Sequence, residues 1–544
     1  MAEVREENAV GADYLRGSAA LRERVASGGR LPRANVSVIG YALLLTINAL
    51  SLWGGFFPFF PMSIHTPEIT QAFFLSQSLA YATMLLGTAV VVYFRPGMIR
   101  HALIFAGGVP LAAGSCCLIA LMYVPGHTIA LAVVSGLLMG AGSAGFSMAW
   151  QRYFSAESPE RGNYFLLMGT ICAPLLFFAL YLLPESVPVF VTPLLLVPLC
   201  GLCAILATRT IDFDQASLTD IPRDHPAVYR KFRSDYWRSA LAIGALGFCA
   251  GAIRAVALGN PAGGGGINAM SMVGAGAAAL ILLAVWRRGS FRIDVATVFK
   301  LLLPAMFAIV VVLPLSSGMF VDQAAGIAYL LFSLANLTML LQCAQASRDR
   351  GISPAYTFGL FGGLVYALQD GGFSFGYWTN TMGWESPMQL YIVAFAALVS
   401  IVVVLYSLAV DKDLLGGARA SSPSNPDSVE FLIAAAEEDG AVRGFGQRRT
   451  VPRSDGADAA ASDDSDAEHL RDRLSKRCLE LKAAYGLTKR EAEILEHIAR
   501  GYSVSHIAEE LVISENTVRT HSKHIYTKLD VHKRQEILDI IDAL

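Results

Sequence analysis

Twelve stretches of this chain stay apolar for about 20 residues, the length of helix that crosses the hydrocarbon core of a bilayer. They lie at 36–57, 70–94, 102–123, 127–150, 163–183, 188–207, 239–259, 266–286, 294–317, 323–343, 354–376 and 388–410. A chain so patterned has few alternatives to a polytopic helical bundle. Its composition agrees: 16% of the residues are charged and the mean hydropathy is +0.48, whereas about a quarter of a soluble chain is charged. The net charge of −2 averages over regions of opposite purpose and excludes nothing.

Loop charge sets the orientation, because short cytoplasmic loops retain Lys and Arg. The even-numbered loops hold Arg95, Arg100, Arg152, Arg161, Arg209, Arg223, Arg230, Lys231, Arg233, Arg238, Arg287, Arg288, Arg292, Arg348 and Arg350, and the odd-numbered loops hold no Lys or Arg. This asymmetry predicts both termini in the cytoplasm and the protein in the cell inner membrane. Residues 1–35 alternate Glu and Arg without an apolar core before a small-residue cleavage site, so they read as a cytoplasmic leader rather than a signal peptide. Seven of the eight cysteines fall in apolar runs, and the Cys200–Cys203 pair lacks second-pair ligands, so neither disulfide, metal nor cofactor is expected.

The longest internal loop, 208–238, divides the spans into two sets of six. Span number, halving and loop charge together resemble the major facilitator superfamily over residues 36–410. That family carries an Asp-Arg in the loop between its second and third helices. Here the stretch is YFRPGMIRH, in which Arg95, Gly97 and Arg100 fit the pattern and Phe94 stands in place of the Asp. Loss of that carboxylate argues against active transport, as does the lack of a mid-span Asp or Glu of the kind proton-coupled carriers bury.

Arg254 and Asp370 lie well past the basic ends of the seventh and eleventh spans, which at about 1.5 Å per residue places both in the outer third of the membrane. They could face each other, as a structural ion pair or as a ligand-binding pair. Trp53, His65, Glu68, Tyr377 and Trp378 lie near the same level, as an interfacial belt or as the lip of a pocket. Deeper polar groups are Asn48, Gln77, Asn336 and Gln342, which either join helices or contact a ligand. The ligand candidates are therefore Arg254, Asp370, Asn48, Trp53, Gln77 and Asn336. The abundance of aromatic residues near the outer ends suits a small aromatic or amphipathic inducer better than a sugar. The small-residue runs GLLMGAGSAG, at 136–145, and GAGAAA, at 274–279, allow close helix approach or a concave cavity wall, and packing is the expected outcome.

After Asp411 the composition changes. Residues 411–465 are rich in Ser, Gly, Ala, Pro and Asp and read as an acidic flexible linker, with an end-to-end reach of about 40 Å. Its apolar patch VEFLIAAA, at 429–436, predicts a short docking helix or a transient turn. Residues 466–485 space Leu470, Leu474, Cys478 and Leu481 as an amphipathic lead-in helix.

In 486–544, Thr488 and Glu491 stand at capping-box spacing before a helix that buries Ile494, Leu495 and Ile498. Gly501 ends it. Ser503 opens a second helix containing Ile507, Ala508 and Leu511, and Ser514 a third with Val518, Ile525 and Leu529 buried. A fourth, 532–542, exposes Ile537, Leu538 and Ile541. The second and third form a helix-turn-helix pair. Thr517-Val518, His521, Ile525 and Lys528-Leu529 resemble, in register, the LuxR-type helix-turn-helix family. The resemblance implies that Arg519, Thr520 and Lys523 enter the major groove of double-stranded DNA, with His524 on the same face and Thr517 and Lys528 on phosphates. It also implies a homodimer on DNA through the fourth helix. His521 and His524 lack a third ligand, so no metal is expected.

The expected fold class is all-α, a polytopic membrane bundle of twelve transmembrane helices (6+6) with a four-helix LuxR-type domain. The domains are the leader 1–35, the transmembrane sensor 36–410, the linker 411–465, the lead-in helix 466–485 and the reader 486–544. The expected function is not enzymatic: a one-component regulator anchored in membrane lipid that senses a small molecule and binds promoter DNA. The alternative is a major-facilitator-like transporter with an appended DNA-binding tail.

Overall fold

The computed structural model describes residues 36–51, 66–95, 103–258, 264–288, 291–315, 319–383, 386–409, 428–431, 474–499, 504–531, 536–537 and 540, with short breaks inside these ranges. The leader, Trp53, His65, Gly501, Ser503, Leu538, Ile541 and most of 411–473 lie outside the described residues.

Each apolar run coincides with helix. In chain order these are α1 (Val36–Ser51), α2 (Pro67–Phe94), α3 (Leu103–Ala120), α4 (Thr128–Ala156), α5 (Pro159–Leu180), α6 (Val187–Thr208), α7 (Pro226–Leu258), α8 (Gly264–Arg288), α9 (Val295–Val312), α10 (Met319–Arg350), α11 (Pro354–Thr381) and α12 (Ser386–Ala409). Among the described residues nine helices are long and apolar enough to cross a membrane; Val36–Leu50 and Phe299–Leu315 are shorter apolar helices.

Local chemistry sets the helix ends. Thr66 accepts from the Ile69 N–H at 3.4 Å ahead of Pro67, and Ser158 accepts from the Arg161 N–H at 3.4 Å ahead of Pro159. In both, the cap satisfies an orphan donor and proline occupies a first-turn position that needs none. Within α6, Pro188, Pro193 and Pro198 remove donors, and the chain relaxes into a π turn at Thr192–Leu196.

The small-residue runs do pack. A Cβ on Gly136 would lie 2.6 Å from the Phe73 carbonyl oxygen and one on Gly140 2.2 Å from that of Gln77, so α4 lies directly on α2. Gly142 and Gly145 bring the opposite side of α4 onto α3 near Gly107. Gly372 and Gly376 seat α11 on α7 in the same way, against the carbonyls of Phe248 and Ala252. The two sets of helices meet chiefly where α2 packs on α11 and α5 on α8. Large apolar side chains such as Phe105, Leu182, Leu194, Leu301 and Phe395 remain exposed on the flanks, the surface a lipid-facing bundle presents.

Two strands depart from an all-α plan. β1 (Phe291–Asp294) precedes α9, and β2 (Ser428–Phe431) pairs with it antiparallel, Phe291 opposite Phe431 and Asp294 opposite Ser428. The patch at 429–436 therefore forms strand rather than helix over its first residues. Val and Phe in alternation with Ser and Glu suit a pleated edge, and FRID offers the matching partner.

The C-terminal unit has its own core. It consists of α13 (Lys489–Ala499), α14 (Val504–Glu510) and α15 (Glu515–Leu529), which bury Ile494, Leu495, Ile498, Ile507, Val518, Ile525 and Leu529. Cys478 and Leu481, from the lead-in segment helical at 474–479 and beyond, join the same core.

Candidate functional site

The reader is built around Glu491. Its Oε2 accepts from the Thr488 N–H at 2.7 Å while the Glu491 N–H donates to Thr488 Oγ1 at 3.3 Å, a closed capping box. The same oxygen accepts from Lys528 Nζ at 2.9 Å, and Lys528 also donates to the Gly486 carbonyl at 3.0 Å. Burial pushes the Glu491 carboxyl up, but the Lys528 ammonium and the Thr488 donors outweigh it and hold the group down at about 2. Lys528, expected on a phosphate, thus braces α15 to the start of α13.

The α15 helix is opened by Ser514, whose Oγ accepts from the Thr517 N–H at 3.1 Å, and closed at Asp530, φ 55°. Val518, Ile525 and Leu529 face the core, which leaves Arg519, Thr520, Lys523 and His524 exposed on the other side. Arg519 is only loosely held, its Nη2 3.3 Å from Glu515 Oε2 at 66% side-chain exposure. Thr520 Oγ1 returns to the Asn516 carbonyl and Thr517 Oγ1 lies 2.8 Å from Ser514 Oγ. Arg519 and Lys523 stand one turn apart and free to extend, the arrangement an inserted helix offers to base edges. Ile537, expected to be exposed for pairing of two copies, is buried in the reader's core, and Ile540 packs against it.

The fold supplies the third neighbour that the sequence did not offer to the two histidines: ligand-capable atoms of Glu491, His521 and His524 lie within 4.8 Å of one another. Thr488 and Lys528 occupy Glu491 Oε2, and Oε1 lies 3.8 Å from His524 Nδ1.

A second site lies inside the membrane bundle. A cavity of about 100 Å³ sits between the two sets of helices, lined from one side by Tyr41, Asn48, Tyr81, Ser147, Gln151 and Thr170 and from the other by Tyr329, Asn336, Tyr366, Gln369 and Asp370. Tyr81 and Tyr366 meet edge to face across it at 5.3 Å, and Tyr81 Oη lies 3.1 Å from Ser147 Oγ. Among the described residues neither the Oδ1 of Asn48, which is 5% exposed, nor that of Asn336 has a hydrogen-bond partner. A smaller hollow beside it is lined by Ser78, Arg254, Tyr329 and Asp370.

Of the sequence-derived ligand candidates, Asn48, Asn336 and Asp370 line the cavity and Arg254 the hollow beside it. Gln77 is buried against α4 and does not line either; Trp53 lies outside the described residues. Among the described residues no ion pair joins Arg254 to Asp370. Arg254 Nη2 donates to Asn268 Oδ1, and its guanidinium lies 5.6 Å from the Tyr329 ring centroid. Asp370 reaches the cavity itself, so a carboxylate does stand on its wall. The tyrosines Tyr41, Tyr81, Tyr329 and Tyr366 were not expected at the site, although a phenol inside an apolar run is the signal that marks them.

Phe94 has a partner too. The Arg223 guanidinium, from the long central loop, lies 4.7 Å from its ring centroid, a cation–π contact.

Residues 486–541 match the family described as "Bacterial regulatory proteins, luxR family". The oxygen regulatory protein NreC of Staphylococcus haemolyticus (strain JCSC1435) is 49% identical over 53 residues, 10% of this chain and 24% of the relative. The protein of the same name from Staphylococcus aureus (strain JH9) is 47% identical over 53 residues, again 10% of this chain and 24% of the relative. The chain thus spans about a quarter of the length of these relatives. The solved structure of the major facilitator superfamily transporter FucP in the outward conformation is similar over 68% of this chain and 99% of that chain, at 14% identity and a TM-score of 0.46. A bacterial homologue of the iron transporter ferroportin, outward-facing, is similar over 69% and 99%, at 13% identity and a TM-score of 0.46. Residues 486–541 are thus similar to the luxR family of bacterial regulatory proteins, on a chain whose described residues include nine helices long and apolar enough to cross a membrane.

Proposed function

We propose that this protein is a one-component transcriptional regulator of the cell inner membrane, with twelve spans in two sets of six and both termini in the cytoplasm. The bundle takes up a small molecule in the cavity between the two sets, and the reader binds promoter DNA. The observation that carries the reading is a luxR-family reader on the same chain as a bundle holding an internal polar cavity. Two unpartnered amide oxygens, those of Asn48 and Asn336, and the Asp370 carboxylate offer acceptors to a donor-bearing ligand, and four tyrosine rings favour one with an aromatic or amphipathic body. At about 100 Å³ the cavity is smaller than the roughly 300 to 1,000 Å³ of a drug-sized site, so the ligand is small or enters with widening of the bundle.

On DNA, Arg519, Thr520 and Lys523 read base edges while Thr517 and His524 lie along the backbone, and two copies occupy a two-fold site. The test is to map which promoter fragments the full chain binds and to measure how inducer candidates from the neighbouring genes change that binding. Sequence-indifferent binding at every salt concentration would overturn the reading.

A second reading, a transporter with a regulatory tail, is favoured by Asp370, since a carboxylate on a cavity wall can load and unload protons. Net substrate uptake by the purified protein in vesicles separates the two.

A further inference from the structure

The lead-in helix has two faces with different partners. Cys478 and Leu481 are buried in the reader's core. Lys476 stands about 200° around the helix from Cys478 and is equally buried, at 6% exposure, but against the bundle. Its Nζ lies 2.8 Å from Asp220 Oδ2, itself 7% exposed, and donates to the Gly351 carbonyl at 2.9 Å. The ammonium also lies 5.4 Å from the Tyr229 ring centroid. Tyr229 Oη donates to the same Asp220 oxygen and accepts from the Ser353 N–H at 3.0 Å. Next in the chain, Arg477 Nη2 donates to the Asp349 carbonyl at 3.2 Å. A carboxylate, a carbonyl and a ring face supply what a desolvated ammonium needs, so the bundle presents a built cup for one lysine.

The turn that holds this lysine also closes the bundle. Arg348 Nη1 donates to the Phe154 carbonyl of α4 at 2.8 Å and its Nη2 lies 3.5 Å from Asn163 Oδ1 of α5. One turn further in, Gln151 Nε2 of α4 donates to the Leu340 carbonyl of α10 at 2.7 Å. Arg350 ties the same end of α10 to Asp235 of α7 at 2.7 Å. Residues 348–351 therefore seal the two sets of helices together with one side chain and grip the reader with the next backbone carbonyls. If α10 swings away from α4, the Gly351 carbonyl and Tyr229, which move together because Arg350 ties α10 to Asp235 of α7, part from Asp220, whose segment is held to the end of α4 where Gln215 Nε2 donates to the Ala156 carbonyl at 3.1 Å.

We propose that the cup formed by Asp220, Tyr229 and Gly351 is an intramolecular docking site for Lys476, through which closure of this end of the bundle holds the reader in place and opening releases it. The proposal rests on the reading that the bundle reports a ligand to the reader. Coupling of this kind is reciprocal: what stabilises the closed end stabilises docking, and DNA that favours the released reader favours opening.

The test uses the full chain in native membranes. A water-soluble carbodiimide joins an amine to a carboxylate only where the two touch, so peptide mass spectrometry should find an amide between Lys476 and Asp220. Lys476→Arg, which keeps the charge, should abolish that amide. Arg348→Ala should lower its yield several-fold at equal protein level. In a promoter reporter without added inducer, Lys476→Gln should shift output by about fivefold or more, the low end of ordinary allosteric coupling. Arg348→Ala should shift it in the same direction, and Lys476→Asp combined with Asp220→Lys should return it toward the starting level. Absence of the amide in the unaltered protein overturns docking. An amide whose yield ignores Arg348→Ala, with reporter output unmoved by Lys476→Gln, overturns coupling. Neither cross-linking result depends on an inducer, so failure of the sensing reading alone leaves them standing.

Discussion

At Glu491 burial and hydrogen bonding pull in opposite directions, and hydrogen bonding wins. Its carboxyl falls from an ordinary value of 4.5 to about 2 in the folded reader, so its contribution to stability is present above about pH 4.5 and is lost as pH falls toward 2. A shift of that size is worth about 3 kcal/mol. Urea unfolding of the 466–544 segment at pH 7, 4 and 3 should show the loss, and Glu491→Gln should be weaker at pH 7 with little further loss across that window. Lys528→Ala should act on the same brace and cost stability, whereas Arg519→Ala should leave stability unchanged and cost about 1 to 3 kcal/mol of discrimination between cognate and scrambled DNA. Equal discrimination before and after Arg519→Ala would remove it from the base readers. Half of this was legible in the sequence. The Thr488 to Glu491 spacing announces a capping box because both partners are local. Lys528 reads as a phosphate contact because its partner lies 37 residues away, and only the packing of α15 on α13 brings the two together.

Among the elements, helix positions were the most legible part of the fold, because a bilayer imposes a length that an apolar run either meets or does not. The packing of α4 was legible for a similar reason, since a run of Gly, Ala and Ser lets two helices approach closely. This gives a matched pair of variants. Gly140→Ala puts a methyl group 2.2 Å from the Gln77 carbonyl oxygen, while a Cβ on Gly87 meets nothing within 4 Å. The first should cost about 1 to 3 kcal/mol of packing strain and lower the amount of folded protein recovered in detergent; the second should match the unaltered chain by size-exclusion profile and melting temperature. Equal behaviour of the two would show that α2 and α4 are not in direct backbone contact. The strand at 428–431 was not legible. Four residues of alternating pattern suit a strand or a turn equally, and the choice was made by FRID, a partner remote in sequence. The fate of Ile537 was hidden by a related ambiguity: an apolar residue on a terminal helix serves a core or a second copy, and here it serves the core.

For the whole molecule, the positive-inside pattern predicts the reader and the basic loops on one side of the membrane, and reporter fusions at Asp413 and near Trp384 should report opposite sides. What the bundle does with its cavity is the larger question, and Asp370 decides it. Position in the sequence suggested that Asp370 and Arg254 face each other as an ion pair or as a ligand-binding pair; the carboxylate lines both the cavity and the small hollow that Arg254 shares, while Arg254 donates to Asn268 and lies beside Tyr329. A sensor and a carrier then respond differently to Asp370→Asn, which keeps shape and hydrogen bonding but removes charge. In a sensor the variant should reach the membrane in normal amount and bind promoter DNA as before. The inducer concentration for half response should rise at least tenfold, about 1.4 kcal/mol of lost binding, and Asn48→Ala should move it in the same direction. In a carrier the variant should abolish net uptake into vesicles while promoter output follows the internal substrate level. A variant with unchanged dose response and no uptake to lose would place the ligand elsewhere in the bundle and leave Asp370 as a partner of Ser78 in the packing of α11 against α2.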